Sequence, residues 1–199
     1  MSLRQAKKEK TAKAILDAAS ARFASEGMDA SRMEEIAADA EVSVGTLYNY
    51  FGSKQALLIA LFEAEVREML AAGREAVSHD IDPLVAVGHL FDAYTDIMLA
   101  TNRDLLREVL RFSLAGGEAI QELARLDEEL MTQLAGVLAA HQEARRIARD
   151  VAIDDAVFVL YSVLITELLM YLSLDDFTPE DLRRSVARRV ELVFNGINP

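Results

Sequence analysis

Cysteine is absent from the 199 residues, which excludes disulfides, thiolate metal sites and cysteine nucleophiles. That absence suits a reducing compartment, and a cytoplasmic location is expected. Glycine and proline are scarce, 9 and 3, too few to punctuate an all-β sandwich with its many turns. The charged start MSLRQAKKEK lacks the apolar stretch of a secretory signal. Of the three histidines, His79, His89 and His141, none has a Glu or His at metal-ligand helical spacing, and His89 is expected to be a core histidine. There is no Ser-His-Asp ordering, Walker loop or dinucleotide fingerprint, and Gly116-Gly117 reads as a helix break. Neither an enzyme, a metal site nor a cofactor is expected.

What is present favours helix. Hydrophobic residues make up 52% of the chain, enough for a substantial core, and Ala, Leu, Glu and Arg recur at helical spacing. The expected fold class is all-α. Residues 156–174 form a 19-residue apolar run, nominally long enough to span a bilayer. Glu167 lies inside it, at roughly 2–3 kcal/mol on insertion scales, and both flanks are acidic. A helix buried on most sides, in a core or between subunits, is expected instead, with Phe158, Tyr161, Leu164, Leu168 and Tyr171 inward and no membrane partner.

The net charge of −12 is unevenly placed. Residues 1–60 carry eight basic and eight acidic groups, so all of the excess belongs to the rest of the chain, and all five lysines fall at or before position 54. Residues 1–13 hold five basic groups and one acidic. Such an arm, on a neutral head before an acidic body, can hold a polyanion on one face and repel it elsewhere. The same composition suits a solvated, frayed N-terminus.

Periodicity and caps divide the chain into about nine helices. Ala14, Ile15, Ala18, Ala19 and Phe23 predict a helix over 10–26, stopped by Gly27. Ser31 with Glu34 has the capping-box pattern for a helix to about Asp39, with Met33, Ile36, Ala37 and Ala40 inward. Ser43 is expected to cap Val44–Tyr50, and Ser53 a long helix from Lys54. Two short helices joined by a tight turn make a helix-turn-helix. Further helices are expected from Asp82-Pro83 to about Ala100, from Asn102 to about Ala115, over 118–146, from Asp154, and from the Thr178–Asp181 cap to about Asn195.

The segment Glu35–Leu57 carries Ile36-Ala37, Ala40, Val42-Ser43, Gly45-Thr46-Leu47-Tyr48, Tyr50-Phe51, Lys54 and Leu57 at fixed spacing. In these positions, and in Ile15-Leu16-Asp17-Ala18-Ala19 with Phe23 and Gly27, the chain resembles the TetR family of bacterial transcriptional regulators over about residues 10–62. Val44, Gly45 and Thr46 are small enough for the start of a recognition helix to approach a groove, where the helix end favours phosphate. Leu47 and Phe51, four apart, would face the core, while Tyr48, Asn49 and Tyr50 project outward. Tyrosine hydroxyls and Lys54 suit phosphate oxygens, and Asn49 suits a base edge.

The resemblance implies that Ser43, Gly45, Thr46, Tyr48, Tyr50 and Lys54 occupy positions that touch DNA, and Arg32 is a further phosphate contact at the start of the second helix. It implies an N-terminal three-helix head over 1–55 with a basic arm, and a helical-bundle ligand-sensing and dimerisation domain over 56–199. The partners implied are a double-stranded DNA operator, a small-molecule effector, and a second copy docked through helices at about 154–173 and 179–195. Tyr94, Met98, Arg111, Phe112, Met131, Tyr161 and Glu167 are the candidate ligand residues. The expected function is a ligand-responsive regulator, a repressor in particular; the alternative is a helical binding module without DNA-binding activity. Glu41 favours that alternative. The family has Gly at its position, so Glu adds negative charge near the DNA face and costs about 1 kcal/mol if its φ is positive. Arg32 also departs from the family's usual Ser or Thr.

Overall fold

A computed structural model describes residues 2–76, 80–114 and 118–196, so His79 and Gly116-Gly117 lie outside the described residues. Among them there are nine helices and no strand: α1 (Leu3–Ala30), α2 (Met33–Asp39), α3 (Val44–Phe51), α4 (Lys54–Ala76), α5 (Pro83–Ala100), α6 (Arg103–Leu114), α7 (Glu118–Glu143), α8 (Ile153–Ser173) and α9 (Pro179–Asn195). The all-α expectation holds. Two compact units divide the chain: Met1–Glu65 with Thr101–Leu123, and Val66–Ala100 with Ala124–Pro199.

The first unit is built on the inner stripe of α1. Ile15, Ala19 and Phe23 are buried together with Met33, Ile36 and Ala37 of α2, Leu47 of α3, Leu57, Leu58 and Leu61 of α4, and Leu105 and Val109 of α6. The first helix starts seven residues earlier than its apolar periodicity suggests. Ser2 caps it, accepting from the Gln5 N–H at 3.2 Å, and a Lys13–Asp17 ion pair at 2.9 Å supports its exposed side. Gly27 has φ +80° and kinks the helix three residues before its end, a conformation open to glycine without penalty.

Ser31 does not cap α2. Its hydroxyl instead donates to the Gly27 carbonyl at 2.7 Å, which the Ser31 N–H also reaches at 3.3 Å, and Arg32 stands at the N-cap without a side-chain bond. The reciprocal bond from Glu34 is thereby lost. Ser43, in contrast, accepts from the Thr46 N–H at 3.1 Å, and Ser53 from that of Ala56 at 3.0 Å.

In the second unit, α9 packs against both α5 and α8. At Gly73 of α4, an added Cβ would lie 2.7 Å from Leu90 Cδ1 and 2.8 Å from Tyr94 Cε1, so glycine is what lets these helices approach. The helix caps of α5 and α9 are formed as expected, by Asp82 Oδ1 on the Leu84 N–H at 2.9 Å and by a Thr178–Asp181 capping box. Helix α7 ends at Glu143, three residues early, ahead of Arg145 at φ +60°. Helix α8 begins at Ile153 rather than Asp154, with Ala152 at its N-cap.

Two burial expectations are corrected. His89 is exposed, because the buried stripe of α5 runs Ala86, Val87, Leu90, Phe91, Tyr94 and passes it by; among the described residues the buried histidine is His141. Helix α8 is long and apolar enough to cross a membrane, yet within this chain it is buried along one stripe, including Val157, Leu160, Leu164 and Tyr171. Phe158, expected inward, is 63% exposed, with Val159, Leu169 and Met170 also on the surface. Glu167 is 2% exposed and pairs with Arg189 of α9 at 2.7 Å, which satisfies the charge inside the apolar run.

Candidate nucleic-acid interface

The helix-turn-helix is assembled by the sequence locally. Helix α2 ends at Asp39, and the Val42 N–H donates to the Ala37 carbonyl at 2.9 Å, folding the chain back into the turn. Glu41 sits in that turn with φ +54°, the left-handed conformation its position demands. The Ser43 hydroxyl lies 2.8 Å from that of Thr46 as well as on its N–H, so both small polar groups order the first turn of α3. Gly52, φ +71°, ends the helix by donating to the Tyr48 carbonyl at 2.8 Å.

One side of α3 is anchored and the other is open. Leu47 is fully buried and Phe51 packs partly against the same core. Tyr48 is 44% exposed, Asn49 and Gly45 are exposed, and Val44 and Thr46 are half-buried. An amide and a phenol thus stand on the solvent side of a short helix fixed from behind, the arrangement that can present donors and acceptors to a groove. Tyr50 is not fully outward: it is half-buried against the core, its ring 6.2 Å from that of Phe51.

Lys54 is placed differently from its neighbours. Its ammonium donates to the carbonyls of Met28 at 2.7 Å, Ser31 at 3.0 Å and Asp29 at 3.2 Å, so its three N–H groups are directed to the backbone after the Gly27 kink. Arg32 remains exposed, its Nε 4.0 Å from Glu34 Oε2. The sequence reading also missed Arg22, which joins α1 to α2. It contacts Asp39 at 2.6 Å, Glu35 at 2.9 Å and Glu26 at 3.3 Å, holding the Asp39 carboxyl below its ordinary range. Only the Arg22–Glu26 spacing, four along one helix, was legible beforehand.

The candidate ligand residues are not all brought together. Arg111 and Phe112 belong to the first unit, where Arg111 pairs with Glu108 and lies 4.4 Å from the Phe112 ring centroid. Tyr94, Met98, Met131, Tyr161 and Glu167 belong to the second. There the buried Tyr94 hydroxyl donates to Gln133 Oε1 at 2.9 Å, and Gln133 Nε2 donates to the Leu70 carbonyl at 3.2 Å. Burial raises the Tyr161 hydroxyl above its ordinary range, helped by its hydrogen bond to Asp127; burial also raises the Asp127 carboxyl. No group of three or more His, Asp or Glu side chains able to hold a metal occurs among the described residues.

Comparison with known proteins places this geometry. Residues 15–61 match the model of the bacterial regulatory proteins of the tetR family. The HTH-type transcriptional regulator RutR of Escherichia coli K12 is 37% identical over 92 residues, 46% of this chain and 41% of RutR, so the match spans less than half of that relative. Among solved structures, the TetR-family repressor FadR of Thermus thermophilus, determined with lauroyl-CoA, superposes with a TM-score of 0.72 at 20% identity, covering 94% of this chain and 95% of its own. FadR of Bacillus subtilis, determined with stearoyl-CoA, gives 0.67 at 21% identity over 94% and 99%. The segment 15–61 is thus similar in sequence to the bacterial regulatory proteins of the tetR family, and the chain as a whole shares the fold of the two FadR structures.

Proposed function

We propose that this protein is a DNA-binding transcriptional regulator, a repressor that reads a palindromic operator as a homodimer and is released by a small-molecule effector. The observation that carries the reading is α3: Ser43 caps it, Leu47 anchors it in the core, and Tyr48 and Asn49 stand free on its outer side. In this reading Ser43, Gly45 and Thr46 approach phosphates at the helix start, Tyr48 adds a hydroxyl, Asn49 reads a base edge and Arg32 contacts the backbone from α2. Tyr50 and Lys54 act chiefly from behind, by packing and by bracing. The division of labour follows: a DNA-binding head within residues 1–55 and a sensing and dimerisation body within 56–199.

Dimerisation through α8 and α9 is supported by their exposed apolar side chains, Phe158, Val159, Leu169 and Met170 on one and Leu192 and Val193 on the other. Two-fold symmetry would set paired α3 helices on half-sites about one helical turn apart, or a multiple of it, ~34–36 Å per turn. For the effector, Tyr94, Met98, Met131 and Tyr161 are retained as lining candidates. The acyl-CoA complexes of the two FadR structures make long-chain acyl-CoA the first probe to titrate. A cytoplasmic, non-enzymatic protein completes the reading.

Selection of bound sequences from a random duplex pool tests the function. A palindromic winner, bound with steep salt dependence and released by an effector, is the expected result; no enriched duplex at low salt leaves instead a helical binding module, the reading that the acidic turn residue Glu41 favours.

A further inference from the structure

Helices α5 and α9 pack side by side in the second unit, and an ion pair between Asp96 and Arg183 ties them at one end. That pair sets their register. One and two turns back along α5 stand Asp92 and Gly88; one and two turns forward along α9 stand Ala187 and Glu191. All four line one slot, so the helices are antiparallel, Asp92 comes about level with Ala187, and Gly88 with Glu191. Each carboxylate therefore faces a residue with little or no side chain. The slot between them measures about 240 Å³ and is floored by the buried Phe91, Val186 and Val190. Gly88 has no other evident use. Its φ is not positive, and an added Cβ would meet nothing within 4 Å, whereas glycine inside a helix lowers stability relative to alanine. Its lack of a side chain leaves the slot open. Asp92 and Glu191 are exposed, and neither carboxylate has a partner among the described residues. The basic side chains one turn away on the same helices, His89 and Arg188, pair with neither.

We propose that this slot binds a short linear diamine, with its methylenes over Phe91 and Val190 and one ammonium on each of Asp92 and Glu191. Size and charge select this occupant. The slot is smaller than the ~300–1,000 Å³ of sites that enclose drug-sized ligands, so it takes a single short chain. The two carboxylates are one turn apart, about 6 Å along the helix axes. An apolar floor between two unpaired anions matches a hydrocarbon chain with a cation at each end; a monocation leaves one carboxylate unmatched, and an anion is repelled. The whole net charge of −12 lies outside residues 1–60, which raises the local concentration of small cations around this unit. Bound there, a diamine adds a second tie between α5 and α9 beside the Asp96–Arg183 pair. The inference does not rest on the reading of the head as a DNA reader.

The test titrates the full-length, isotope-labelled protein with putrescine and follows its backbone amide spectrum. Saturable shifts confined to the neighbourhood of Gly88, Asp92, Ala187 and Glu191 are expected, with weaker binding of butylamine and none of butanol. Asp92→Asn and Glu191→Gln should each weaken putrescine binding by up to about fivefold, the span of a solvent-exposed ion pair, and the double variant should not saturate. Gly88→Leu fills the slot and should abolish binding while the melting temperature is kept or raised, since leucine is the better helix former. Circular dichroism checks that each variant stays folded. Shifts scattered over the acidic surface, or an affinity unchanged in the double variant, overturn the slot and leave only counterion association. Conversion of a dimer to a monomer by Gly88→Leu in sedimentation also overturns it, because the groove is then an interface between copies.

Discussion

The ammonium of Lys54, in the first turn of α4, lies 2.7 Å from the carbonyl of Met28, one residue beyond the Gly27 kink in α1. With the Asp29 and Ser31 carbonyls it completes a three-point clasp, so one side chain collects backbone acceptors at the end of α1 that have no helical partner. The residue that sequence comparison offers as a phosphate contact thus has its donors engaged inside the head. Replacement by Met should lower the stability of the protein by about 2 kcal/mol, within the range for hydrogen bonds to charged groups. Arg should not restore it, because a planar fork cannot converge on three carbonyls as an ammonium does. Chemical denaturation of the three proteins measures this. If Lys54→Met is as stable as wild type and loses only DNA affinity, the clasp has no structural weight.

Glu41 occupies a left-handed turn position at φ +54° and adds a carboxylate beside the proposed DNA face. Glu41→Gly should stabilise the head by about 1 kcal/mol through relief of backbone strain. It should also strengthen DNA binding at low salt more than at high salt, since one repulsive charge is removed. Equal affinity at every salt concentration would place Glu41 away from the bound duplex.

The Arg22 network sets an acid limit on the head. Asp39 has its folded-state value lowered, chiefly by the hydrogen bond from Arg22, so its contribution to stability is fully present above the ordinary carboxylate range and is lost as pH falls through the lowered value. Arg22→Gln should therefore cost stability at neutral pH and flatten the fall in melting temperature on acidification below about pH 4. Parallel acid limbs for wild type and variant would remove Arg22 and Asp39 as its source.

Phe158 is the largest exposed apolar side chain on α8, in a run otherwise suited to burial. Phe158→Glu should leave the helical content intact and shift sedimentation from dimer to monomer, with operator affinity falling in step. A dimer that persists would move the interface away from this face.

Much of the head was legible because its determinants are local. The Ser43 cap, the Leu47 anchor, the stop at Gly52 and the cost of a non-glycine residue at position 41 each follow from a side chain and its nearest backbone. What was not legible depended on groups distant in sequence or competing for one atom. Ser31 has the right spacing to cap α2, but the Gly27 carbonyl takes its hydroxyl. Lys54 reaches 26 residues back to Met28, which no local pattern encodes. The start of α1 was missed for a different reason: Leu3–Lys10 lacks an apolar stripe because it packs on nothing, and its cap and helix-forming composition carry it instead. In the body, a list chosen by residue type alone divided between the two units, placing Arg111 and Phe112 in the first and the other five candidates in the second.

The central claim is that α3 reads DNA with Tyr48 and Asn49. Binding of the selected duplex by wild type, Tyr48→Ala and Asn49→Ala, titrated at several salt concentrations, tests it most directly, with thermal melting of each variant alongside. The account predicts unchanged melting, for Tyr48→Ala a uniform loss of affinity at an unchanged salt slope because a neutral hydroxyl displaces no counterion, and for Asn49→Ala a loss of about 1–3 kcal/mol confined to one base position. Wild-type affinity and specificity in both variants would contradict it.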